Sequence, residues 1–128
     1  MNLNKIKLLL QELAFSHGMT DDDLNAYNET SDDFEWHINW KDDQGNSFDE
    51  RMCRLDAAIN LYDSAMAKGD RLTAKAGLIR AGIELQTLAN FFDGMAHDIK
   101  KAYGYSRFDW PKFPNDDWKI PPEYDFRE

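Results

Sequence analysis

The stretch SFDERMCRLDAAINLYDSAMAKGDRLTAKAGLIRAGIELQTLANFFDGMAHDIKKA, Ser47 to Ala102, decides the fold. It opens on Ser47-Phe48-Asp49-Glu50, which has the form of a capping box: the serine hydroxyl accepts from the third helical amide and the glutamate reaches back. Phe48, Met52, Leu55, Ile59, Tyr62 and Met66 then recur at the three-and-four spacing of one helix face. Gly69 ends this helix and Asp70 caps the next, whose apolar positions are Leu72, Ala76, Ile79, Ile83, Leu85, Leu88, Phe92, Met95 and Ile99. So short a connection makes the two segments, about 48–68 and 71–102, an antiparallel helical hairpin. Gly77, Gly82 and Gly94 each weaken the second helix by roughly 1 kcal/mol relative to Ala. They mark either a close helix–helix approach or a break near Gly94.

Upstream, Leu3, Ile6, Leu10 and Leu13 predict an N-terminal helix from about Leu3 to Ser16 that packs on the hairpin, with Gly18 at a left-handed C-cap. Thr20 and Asp23 form a capping pattern for a short helix through Leu24 and Tyr27. Residues 34 to 40 change period. Phe34, Trp36, Ile38 and Trp40 alternate with Glu35, His37 and Asn39, which predicts one short strand near 34–40. Valine is absent and Ile plus Thr number eleven, so a β-rich fold is excluded and the chain reads as mainly α. All four prolines lie between Pro111 and Pro122, and eight of the seventeen aromatics between Tyr103 and Phe126. Proline cannot extend a helix. Residues 104–128 are therefore an extended aromatic arm, expected to pack its rings on the bundle. A length of 128 residues suits a single domain spanning 1–128.

Charge is the strongest functional signal. The chain carries −9, but residues 20–63 hold thirteen acids and three bases, giving −10, while the rest carries +1. A potential that negative repels nucleic acid and anionic lipid and attracts a basic partner. No apolar run reaches the roughly 18 residues of a membrane span. One cysteine rules out an internal disulfide framework, and a cytoplasmic location is expected.

Motifs for chemistry are weak. Aligning Gly45 with the invariant glycine of a calcium loop puts Trp40 and Arg51 at positions that need carboxylates. His17, His37 and His97 fall on separate elements. Asp93 and His97 read as an ordinary i,i+4 helix pair. Cys53, beside Met52, reads as a partly buried structural thiol. Pro121-Pro122-Glu123-Tyr124 matches the PPxY pattern of WW-domain ligands, though a structural arm accounts for it better. No catalytic residue, metal or cofactor is expected, and the chain reads as a non-enzymatic binding protein.

The function that follows is a small acidic inhibitor occupying the basic nucleic-acid-binding groove of a partner enzyme or complex, a nucleic-acid mimic in the functional class of anti-restriction and anti-CRISPR proteins. Its contacts are expected from Asp21, Asp22, Asp23, Glu29, Asp32, Asp33, Glu35, Asp42 and Asp43, with Trp36 and Trp40 as aromatic anchors. The same face suits an immunity or antitoxin protein that neutralises a basic toxin nuclease. A third reading is an adaptor or assembly subunit that binds through the helical hairpin.

Overall fold

In a computed structural model of the chain, which describes residues 1–127, four helices and one small sheet follow each other along the sequence. Helix α1 is Asn4–Ser16, α2 is Asp21–Leu24, β1 is Tyr27–Asn28, β2 is Asp33–Phe34, α3 is Gln44–Ala67 and α4 is Arg71–Gly104. The short helix expected through Tyr27 stops at Leu24, and Tyr27 opens β1. Two 3-10 turns, Ser106–Phe108 and Pro122–Tyr124, lie in the arm. The architecture is mainly α, with α3 and α4 as the antiparallel hairpin. Gly18 (φ +77°) and Gly69 (φ +71°) take the left-handed turns that close α1 and α3. Asp70 caps α4 by accepting from the Thr73 amide at 3.0 Å.

Helix α3 begins four residues earlier than its capping box predicts. Asp43 is the N-cap, accepting from the Asn46 amide at 3.0 Å and from Asn4 Nδ2 at 2.8 Å. The tertiary bond to α1 adds to the local one, and the earlier cap wins. Gln44 is buried at this junction: its amide donates to Asn4 Oδ1 at 2.7 Å and its side chain to Asn39 O at 3.0 Å.

Helix α4 runs unbroken through Gly94. The hairpin seam, however, is not the large apolar stripe. Ala58 and Ala65 on α3 meet Ala74, Gly77 and Ala81 on α4, and these small residues are buried while Met52, Ile59, Leu72, Ile79 and Ile83 are exposed. A Cβ at Gly77 would stand 3.0 Å from the Tyr62 amide nitrogen and 3.1 Å from the Ala58 carbonyl oxygen. The backbones approach so closely that bulky side chains are forced to the outside. Cys53 is exposed too, not partly buried.

The core sits at the base of the hairpin. Leu10 and Ala14 of α1, Met19, Leu24, Trp36, Ile38, Met95, Ala102 and Phe108 form one cluster. The arm joins it at its root, where Phe108 is buried and Trp110 Nε1 donates to the Ala102 carbonyl at 2.8 Å. The expected packing of the whole arm stops there. Phe113, Trp118, Tyr124 and Phe126 are exposed, because the core surface is already covered by α1 and the 19–40 segment. Pro122–Tyr124 forms a 3-10 turn, not the polyproline helix a WW domain reads.

Candidate functional site

The acidic segment between α1 and α3 is short of regular structure, so its conformation rests on a few tethers. Thr20 and Asp23 make the reciprocal capping box expected of them, at 2.9 and 3.3 Å. The chain then turns through a two-stranded hairpin whose register pairs Tyr27 with Phe34 and Asn28 with Asp33. Asn28 Oδ1 orders the turn by accepting from the amides of Thr30 and Ser31, and Asp32 takes a left-handed conformation (φ +53°). The strand predicted over 34–40 therefore ends at Phe34. Beyond it the side chains keep the period of two, with Trp36 and Ile38 buried and His37 and Asn39 exposed. Their backbone has no partner strand among the described residues.

A carboxylate replaces that strand. Asp98 on α4, fully buried, accepts from the amide of His37 at Oδ1 and from the amide of Ile38 at Oδ2, both at 2.8 Å. His97 Nδ1 lies 2.8 Å from Asp98 Oδ1. A carboxylate buried this deeply is tolerated because its acceptor positions are filled. One turn further along α4, Lys101 Nζ reaches Glu35 Oε2 at 2.7 Å and the Glu35 carbonyl at 3.1 Å. It also lies over the rings of Trp36 and Tyr105, at 5.0 and 5.3 Å from their centroids. The Lys101 bond, with a second from Asn28, holds the Glu35 carboxyl below the usual carboxylate range.

Two of the three histidines come together here. His37 and His97 stack at 3.5 Å with their planes 4° apart, and Asp33 sits 3.1 Å from His37 Nε2. His97 thus engages Asp98 and His37, not the Asp93 pairing expected from helical spacing. Rings at van der Waals contact leave no room for a reacting group between them. Among the described residues no three His, Cys, Asp or Glu side chains are grouped to hold a metal ion, and no helix is long and apolar enough to cross a membrane.

The nine expected contact acids divide into two sets. Asp23 and Asp43 are helix caps, Asp32 accepts from the Tyr27 hydroxyl, Asp33 pairs with His37, and Glu35 pairs with Lys101. The Tyr27 phenol is raised by its bond to Asp32, with burial and the charge of Asp33 adding. The Asn46 amide, then Asn4, lowers the Asp43 carboxyl. Asp21, Asp22, Glu29 and Asp42 are exposed, and their carboxylates make no hydrogen bond or ion pair among the described residues.

Both expected anchors belong to the core. Trp36 is 3% exposed, and Trp40 is half-buried with Nε1 donating to the Leu24 carbonyl at 2.9 Å. Burial follows from the tether: fixing the amides of His37 and Ile38 on α4 turns Trp36 and Ile38 inward together. The exposed rings of this segment are instead Tyr27 and Phe34, in edge contact at 5.3 Å. A cavity of about 340 Å³ opens beside them, lined by Leu24, Phe34, Trp36, Ile38 and Trp40. Sequence reasoning missed Asp98 and Lys101. The signal was present for Asp98, an acid in step with Met95 and Ala102 on the buried face of α4.

The sequence matches no protein-family model and no curated protein. The fold has a counterpart in the crystal structure of a functionally unknown protein from Neisseria meningitidis MC58. The TM-score is 0.76 at 20% identity, and the match covers 94% of this chain and 98% of that one. This likeness shows a shared fold.

Proposed function

We propose that this chain is a non-enzymatic inhibitor that docks its acidic 20–43 segment into the basic nucleic-acid-binding groove of a partner enzyme or complex. The observation that carries this reading is the β1–β2 hairpin. Tyr27 and Phe34 are half-exposed aromatic rings, and Asp32 and Asp33 lie beside them. Exposed aromatics with surrounding charge are the composition of an interface centre and its rim. Asp21, Asp22, Glu29 and Asp42 add carboxylates that are bonded to nothing else in the chain, so a partner's Lys and Arg side chains can take them without dismantling the fold. The tethers at Asp98 and Lys101 keep the segment ordered, which lowers the entropy lost on docking.

A second form of the same activity is favoured by one feature. Five of the nine carboxylates bond within the chain, which leaves four free carboxylates among the described residues in place of a long row of charge. A short set of that kind suits an immunity protein plugging the active site of a basic toxin nuclease.

The test is affinity capture from a lysate of the native host, washed at low and then high salt, with a variant carrying Asp21→Asn, Asp22→Asn, Glu29→Gln and Asp42→Asn alongside. These four positions leave the caps and ion pairs intact. A nucleic-acid enzyme that the native chain retains at low salt, and that the variant or Phe34→Ala loses, supports the proposal. Capture that ignores both salt and these substitutions overturns it.

A further inference from the structure

The far end of the hairpin carries apolar surface that no described residue covers. Tyr62 and Met66 of α3 and Leu72 and Leu78 of α4 line a groove of about 520 Å³, with Arg71 and Lys75 at its side. Leu72 is 81% exposed, and Ile79 and Ile83 continue the surface along the face of α4 turned away from α3. A matching surface lies at the other end of the molecule. Asn115 turns the arm back by accepting from the Trp118 amide at its carbonyl and from the Asp117 amide at Oδ1. The turn brings the exposed rings of Phe113 and Trp118 to 5.1 Å from each other. Asp116 and Asp117 sit in the same turn, and their carboxylates are unpaired among the described residues. Charge agrees with shape: residues 68–85 hold four bases and two acids, residues 109–127 five acids and three bases.

The Phe113–Trp118 turn cannot fill the groove of its own chain. Trp110 is tied to Ala102, and the eight residues from there to Trp118 reach about 29 Å even when fully extended. Lys75 lies about 40 Å from Ala102 along α4, at 1.5 Å per residue. This turn can therefore reach the groove only of another copy.

We propose that a second copy of this chain supplies the occupant, inserting its Phe113–Trp118 turn into the hairpin-tip groove with Asp116 and Asp117 against Arg71 and Lys75. Turn and groove sit at opposite ends of one helix, so two copies with antiparallel α4 helices make both contacts at once. Such an assembly closes as a two-fold dimer.

Sedimentation of the full chain over a concentration series tests this, with circular dichroism as the check on folding. The native chain is expected at twice 14.9 kDa. Arg71→Glu with Lys75→Glu, or Asp116→Lys with Asp117→Lys, weakens the dimer about tenfold or more. Mixing the two folded variants restores a dimer with one swapped-charge contact, at one end only. Trp118→Ala gives monomer. A native chain that stays monomeric at every concentration overturns the proposal. So does a dimer that ignores all of these substitutions, which would place its interface elsewhere. Groove-dependent binding of a different acidic protein by a monomeric chain overturns it equally.

Discussion

Asp98 on α4 takes the place of a β-strand for Ile38, its carboxylate accepting the amides of Ile38 and of His37 before it, each at 2.8 Å. The consequence reaches the proposed binding surface. With these two amides fixed, Trp36 and Ile38 turn into the core, and the hairpin bearing Tyr27 and Phe34 is held at the surface. Replacing Asp98 by Ala leaves two donors without partners, the Ile38 amide at a buried position and the His37 amide at a part-buried one. The expected cost is about 3 kcal/mol or more, from a penalty of roughly 1–3 kcal/mol per buried orphan group. Asp98→Asn keeps one acceptor and is expected to lose about half as much. Urea unfolding of the three proteins checks this, and an Asp98→Ala variant as stable as the native chain would contradict the tether.

The glycines of α4 give opposite expectations at neighbouring positions. Gly82→Ala meets nothing within 4 Å and is expected to stabilise the helix by up to about 1 kcal/mol. Gly77→Ala drives a methyl group into the backbone of α3 at 3.0–3.1 Å, where no flexible side chain can give way. It is expected to destabilise by about 1–3 kcal/mol, as overpacking does. Thermal unfolding of the pair measures how tightly the seam is closed.

The Glu35–Lys101 pair predicts an acid-limb dependence. The Lys101 bond, with that from Asn28, lowers the Glu35 carboxyl in the folded state below its ordinary value of 4.5. The stabilisation is therefore present above about pH 4.5 and is lost as pH falls through the lower folded value. With the glutamate side chain 37% exposed, solvent screening keeps the effect under about 1 kcal/mol. Glu35→Gln should lower stability at neutral pH and by less near pH 3, in urea titrations at both. An equal difference at the two pH values would assign the loss to packing.

The hairpin was legible in the sequence because helix periodicity, Gly69 and Asp70 are local signals, each satisfied within a few residues. The Thr20–Asp23 box and the turn at Gly18 were legible for the same reason. The seam was not. Periodicity identifies the faces of a helix, but it does not say which face a partner helix takes. Here the close approach at Gly77 selected the alanine face over Leu72, Ile79 and Ile83. The acidic character of residues 20–43 was also legible, since charge is additive along the chain.

Composition, charge and local caps thus determined a mainly helical chain with an N-terminal helix, a long hairpin, an acidic segment and an aromatic arm. Tertiary structure alone decided that Glu35 and Asp98 are committed and which rings are exposed. Asp98 lies sixty residues and more from the amides it accepts, and Lys101 sixty-six from Glu35. Contacts that distant leave no mark in local pattern, because their energy exists only once α4 has brought both ends together.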